Sequence, residues 1–212
     1  MRIQKKDGFT LVELLLVILL VVMLSFIVGP ILFYGLSTFN TSLYLKNQMD
    51  TINEATMNIR LDIETSSIVY PIRYTDEDIF AFEMHEYIRD GSGKISQDAS
   101  SGGAQYNIKY RYWRFKDIPD SIFGGLYVAT SNISPKDINK GQLENLDYTL
   151  ITTGLKSENS MFIHDTANQT LFMAFVPDEV DFMKGRNRSV GFPIVMEYSL
   201  RNKKVEIKSI IE

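Results

Sequence analysis

Hydrophobic and polar positions divide the chain into stretches of different texture. Residues 1–8, MRIQKKDG, are polar and carry Arg2, Lys5 and Lys6. After Glu13 no charged residue occurs until Lys46. Within that window Leu14 to Leu24 is an unbroken apolar run, and Phe26 to Leu36 is interrupted only by Gly29, Pro30 and Gly35. Twenty helical residues rise about 30 Å, the thickness of a bilayer's hydrocarbon core, so the pattern predicts a transmembrane span over about 14–36. Further on, Met49, Ile52, Thr56, Ile59 and Ile63 recur at intervals of three or four, with Lys46, Asp50, Asn53, Glu54 and Asn58 opposite. That is one apolar face of a helix. The two patterns together predict a single helix from about Thr10 to about Glu64, with a membrane half and an amphipathic half. A coiled-coil stalk is the alternative for the second half, but two heptads are short for a stable coil. The stripe is expected to pack on a folded head instead.

Beyond Ser66 the period changes to that of strands. Ile68 to Tyr74, Ile79 to Tyr87, Tyr106 to Phe115, Gly124 to Thr130, Tyr148 to Thr153, Ser160 to His164 and Thr170 to Val176 are rich in β-branched and aromatic residues. Pro193 to Leu200 and Val205 to Ile210 flank Arg201-Asn202-Lys203-Lys204, which reads as a closing hairpin. Arg89 to Gln105 holds Gly91, Gly93, Gly102 and Gly103 among serines and reads as a long mobile loop. The expected fold class is therefore α+β: a long N-terminal helix, residues 9–66, packed on a β-rich head, residues 67–212.

Composition narrows this picture only a little. With 212 residues, 45% hydrophobic and 12% aromatic, the chain is a folded protein with room for one domain and an anchor. A net charge of −4 gives no bulk attraction to nucleic acid or anionic membrane. There is no cysteine, which excludes disulfides, thiol catalysis and cysteine-ligated metals. The head of about 145 residues must then be held by its apolar core.

Basic residues ahead of the span orient it N-terminus in, which places residues after it outside. A secretory signal peptide would need a shorter apolar core and a small-x-small cleavage site, and Val28-Gly29-Pro30 is a poor one. A plain single-pass anchor accounts for the hydropathy but not for Glu13. A carboxylate in the apolar run costs up to about 3 kcal/mol near a membrane centre and less at its edge, so a partner is expected.

The sequence Gly8-Phe9-Thr10-Leu11-Val12-Glu13 resembles the cleavage and methylation signature of type IV prepilins and pseudopilins. The resemblance covers residues 2–36 and rests on a basic leader, Gly-Phe and a glutamate four residues later, all opening a span of this length. It implies that residues 1–8 are a leader and that prepilin peptidase cuts after Gly8. It also implies methylation of the new amino group of Phe9, and pairing of Glu13 with such an amine on a neighbouring subunit. Many major pilins carry a proline where Pro30 stands, and it should kink or loosen the helix. Other implied partners are further pilin subunits, an inner-membrane platform protein and a cytoplasmic assembly ATPase. The implied location is the cytoplasmic membrane and then an extracellular filament.

The large head suggests a minor rather than a major subunit, and Met57 to Ile63 followed by strands is weakly similar to the J-type minor pseudopilins. Retention of Glu13 argues against the outermost tip, and the lack of cysteine departs from many Gram-negative pilins. The competing class is a membrane-tethered extracellular binding module that does not polymerise.

No catalytic site, metal site or cofactor is expected of the head. His85 and His164 are the only histidines. Asp76-Glu77-Asp78 and the group Asp178, Glu179, Asp181 lack calcium-loop spacing and read as solvated acidic turns. No nucleotide fingerprint or nucleophile elbow occurs. Lys109 to Lys116 interleaves aromatics with cations, placing Lys109, Arg111, Trp113 and Phe115 on one strand face. Such a face can stack bases and hold phosphates, which would suit nucleic-acid contact. Against that, these residue types are simply good strand formers with long apolar stems.

Overall fold

A computed structural model describes residues 10–74, 77–97, 102–119, 121, 123–177, 179–181, 186–188 and 193–210, with backbone alone at 77–78, 179–181 and 186–188. Helix α1 spans Leu11–Thr65. Thr10 caps it: the Glu13 amide donates to the Thr10 hydroxyl, and the Glu13 carboxylate accepts from the Thr10 backbone N–H at 2.9 Å. This is a reciprocal capping box. The helix runs through Pro30 without a break. Among the described residues it is the one helix long and apolar enough to cross a membrane, and its apolar window is wholly uncovered.

The second half is amphipathic, with a correction to the expected stripe. Ile52, Ala55, Thr56, Ile59, Asp62 and Ile63 are buried, whereas Met49 is exposed. Burying Ile52, Ile59 and Ile63 contributes roughly 1.5–3 kcal/mol each, enough to hold the helix on the head. The last turn carries no basic residue of its own. Lys203, from the far end of the chain, supplies the missing charge. Its ammonium donates to the carbonyls of Glu64 at 2.8 Å and Ser66 at 2.7 Å. Orphan carbonyls at a helix C-terminus favour such a cation.

The strands are β1 (Ile68–Tyr74), β2 (Glu77–Tyr87), β3 (Tyr106–Asp117), β4 (Gly124–Ser131), β5 (Thr149–Leu155), β6 (Met161–Asp165) and β7 (Thr170–Phe175), followed by β8 (Glu179–Asp181), β9 (Arg186–Arg188), β10 (Ile194–Ser199), β11 (Lys204–Val205) and β12 (Lys208–Ile210). The main sheet has the order β11-β1-β2-β3-β4-β5, with β12 also pairing β1. A smaller sheet has the order β10-β7-β6, and β8 pairs with β9.

Both faces of the main sheet are covered. On one, Val69, Phe80, Phe82, Trp113, Phe115 and Leu126 meet α1 and the inner face of the small sheet. On the other, Tyr70, Ile72, Ile79, Tyr110 and Tyr112 meet Ile138 and Leu143 from the segment that carries the short helix α2 (Lys140–Glu144). The hydroxyl of Tyr112 donates to the Ile133 carbonyl at 2.7 Å and fastens that segment down.

The expected closing hairpin does not form. β10 pairs antiparallel with β7 in the small sheet, and β11 and β12 pair parallel with β1 in the main one. The turn at 201–203 is present, with the Lys203 amide donating to the Leu200 carbonyl at 2.8 Å. Leu200 is fully buried and Lys203 is tied to the end of α1, so the chain is carried across from one sheet to the other. The described part of the 89–105 loop is also more ordered in pairing than expected. Bridges join Arg89 to Ile95 and Gln97 to Ala104. The Asp90 carboxylate accepts from the amides of Ser92 and Lys94, an Asx-type turn.

Candidate functional site

The residues singled out from sequence fall at three places: the start of α1, its middle, and the face of β3 that meets its end. Gly8 and Phe9 lie outside the described residues. Glu13 sits in the first turn of α1, exposed, with the Thr10 backbone and hydroxyl as its partners. A carboxylate there also suits the positive end of the helix dipole. Within the single chain the Glu13 carboxylate thus accepts from its own N-cap residue. Pro30 lies in the uncovered half, next to Gly29, around which there is open space for a side chain.

On β3 the interleaved cations and aromatics are engaged inside the head. Lys109 pairs with Glu86 at 2.6 Å across β2 and β3. Trp113 is fully buried and its indole N–H donates to Asp62 Oδ2 at 2.7 Å. Arg111, half-buried, donates to Asp62 Oδ1 at 2.7 Å, and its guanidinium lies 5.7 Å from the Trp113 ring centre. The ring of Trp113 therefore offers no open face on which a base can stack. The alternation of faces read from sequence is correct, but both faces are buried. On the opposite face Arg114 is nearly inaccessible and lies over the rings of Tyr74 and Tyr148 at 6.0 and 5.4 Å.

Sequence reasoning missed Asp62. Only 2% of its side chain is exposed, and it joins α1 to β3 through two charge-assisted bonds. Burial pushes its carboxyl up, and Arg111 and Trp113 pull it part of the way back. A signal existed: Asp62 falls on the apolar stripe, three residues after Ile59, where a carboxylate needs a donor set. The Arg111–Trp113 pair of β3 is that set.

The two histidines are embedded in local packing. His85 stacks on Tyr106 at 4.1 Å and approaches Glu83 at 3.2 Å. Ser67 Oγ is 3.3 Å from both ring nitrogens, which puts it off the in-plane lone-pair direction of either. That arrangement is poor for relaying a proton. Burial holds His164 below its ordinary value. Among the described residues no group of three histidine, aspartate or glutamate side chains converges as a metal site would. Asp76 and Asp178 lie outside the described residues. The backbones of Glu77, Asp78, Glu179 and Asp181 are in strands β2 and β8 rather than in turns.

No protein-family model matches the chain, and neither a curated protein nor a solved structure is significantly similar to it. The long apolar helix on a β-rich head is pilin-like in shape, and that is a likeness of form alone.

Proposed function

We propose that this chain is a minor pilin or pseudopilin, a structural subunit of a type IV pilus-like filament with no chemistry of its own. The observation that carries the reading is the single helix Leu11–Thr65, preceded by Gly8-Phe9 and opened by Glu13. Its first half is apolar on every side and uncovered, and one face of its second half is buried on the head. A helix apolar all round needs either lipid or a bundle of equally apolar helices. Lipid serves the precursor, and neighbouring subunits serve the filament.

In this reading prepilin peptidase removes residues 1–8 and frees the Phe9 amine, which is then N-methylated. Cleavage brings a cation within one helical turn of Glu13. The carboxylate is then exchanged from its own Thr10 to the amine of a neighbour, which sets subunit register. A platform protein and an assembly ATPase at the cytoplasmic membrane drive insertion into the filament, whether for secretion, competence or surface attachment.

One observation favours the second reading, a tethered extracellular module. Glu13 is already satisfied by Thr10 and needs no neighbour. The two readings part on Glu13→Ala and on a bulky residue at Gly8. The filament reading expects the Gly8 variant to remain unprocessed, and the Glu13→Ala protein to be processed but poorly incorporated into sheared filaments. Normal incorporation of Glu13→Ala would overturn the pairing argument.

A further inference from the structure

His164 stands on the inward face of the small sheet. Strand alternation puts it on the side of β6 that carries Phe162, which is fully buried. The register sets it opposite Leu171 of β7, also fully buried, and Tyr198 of β10 completes that row. Its Nε2 is sealed from solvent and has no hydrogen-bond partner among the described residues. The ring as a whole is only half-buried, so the neutral form can keep its single proton on Nδ1 and leave Nε2 a bare acceptor. Beneath an apolar sheet a bare acceptor costs far less than an unpaired N–H that carries charge.

Among the described residues no acid accepts from that nitrogen. β7 carries no charge, and Glu197, the one charge on β10, alternates to the outward face. On β2, which packs against β6, Glu86 is paired with Lys109 at 2.6 Å, and Glu83 lies on the opposite face with Tyr70 and His85. Glu77 and Asp78 open β2 ahead of Phe80, whose ring meets Phe162. On α1, Arg60 and Glu64 pair with each other beside Tyr198, at the other side of the small sheet. Asp165 is the charge that acts on the ring, but its carboxylate is occupied by the amides of Ala167 and Asn168 and by the Asn168 side chain. Burial outweighs it and favours the neutral ring.

We propose that His164 is an acid-sensitive latch, whose protonation unseats β6 from the head and loosens the small sheet. A charged ring must place a second N–H at Nε2, where nothing accepts it, so the ring is better served by swinging into water. β6 follows at the cost of one ladder, because it is an edge strand in the order β10-β7-β6. The neutral ring's contribution is full above the ordinary histidine value and is lost as pH falls below it. His85 is not equivalent, since its Nε2 has the Glu83 carboxylate at 3.2 Å to receive a proton's charge. The latch belongs to the head and holds whether the chain enters a filament or stays a tethered module.

Amide exchange of the full chain in detergent tests this, with β6 and β7 compared with β3 after correction for the pH dependence of intrinsic exchange. Between about pH 7.5 and about pH 5.5 the open fraction of β6 and β7 should rise several-fold, up to about tenfold, while β3 does not follow. His164→Gln should abolish the rise and His85→Gln should keep it. A rise of equal size in His164→Gln would overturn the latch. Should that variant not fold, the wild-type chain decides alone. Deuterium exchange at the imidazole C2 position, read by mass spectrometry, titrates the only two histidines separately. A His164 midpoint below the ordinary histidine value, with opening that follows the protonated fraction, is the expected result. A midpoint at or above that value, or an opening that does not follow the titration, overturns the proposal.

Discussion

Replacing Asp62 by asparagine probes the joint between helix and head with little change of volume. The asparagine oxygen can accept from Trp113 or from Arg111 but not from both, and its NH2 then faces a donor. If Arg111 keeps the oxygen, the buried Trp113 N–H is left without an acceptor, at about 1–3 kcal/mol. Breaking a fully buried ion pair costs about 3–5 kcal/mol, but Arg111 can turn to water, so its share is smaller. Its side chain is 35% exposed. The expected loss is therefore about 2–3 kcal/mol, or about 5–10 °C in the midpoint of a head this size. Trp113 is the only tryptophan in the chain, so its fluorescence reads the site directly during denaturant unfolding of the full chain in detergent. Trp113→Phe removes the second donor and the fluorescent probe with it, so all members of that cycle are followed by circular dichroism instead, and the double variant should cost about 1 kcal/mol less than the sum of the singles. The sign with pH is also fixed. The folded state holds the Asp62 proton more tightly than the unfolded chain does. Stability therefore falls as pH rises from the ordinary aspartate value through the raised folded one, and Asp62→Asn removes that slope. A change within about 0.5 kcal/mol, with additive singles, would refute the joint as drawn.

Three further perturbations test other parts of the structure. Gly154 has φ +74°, which strains any side chain, and a Cβ there would also push the Gln48 side-chain amide aside, so Gly154→Ala should destabilise by about 1–2 kcal/mol in the same unfolding assay. An unchanged midpoint would contradict the left-handed backbone at Gly154. Lys203→Met removes the cation that caps the end of α1 and should cost about 1 kcal/mol, with faster amide exchange over 62–66. Equal exchange would show the cap to be dispensable. The Glu206 carboxyl is held below its ordinary value by Lys136 and Lys204. Its stabilisation is present above the ordinary glutamate value and is lost as pH falls through the depressed one, so Glu206→Gln should flatten the acid side of the stability profile. An identical acid limb in the variant would contradict the pairing.

Local signals in this sequence were legible, and partner choice was not. β1 could be read from Ile68 to Tyr74 because its β-branched and aromatic residues sit between a helix stop and a polar break. The helix could be read because its two halves differ only in periodicity, not in continuity. The hairpin at Arg201 failed for a nonlocal reason. Its turn chemistry is real, but which strand each arm joins is decided by the burial of Leu200 and the reach of Lys203. The two-sided burial of β3 was hidden in the same way, since nothing in Lys109 to Lys116 tells that the segment after β4 folds over Tyr112. Two features were available and passed over. Thr10-x-x-Glu13 is a capping box that names a partner for the carboxylate, and Asp62 stands out as an acid on an apolar stripe.

The central claim concerns processing at the start of α1, and one measurement reaches it directly. It is the mass of the N-terminal peptide of the protein from cells with an active prepilin peptidase. A peptide that begins at Phe9 and carries one added methyl group is the result the filament account predicts. A peptide that begins at Met1 would contradict it, and would leave an apolar helix that anchors a β-rich head and goes no further.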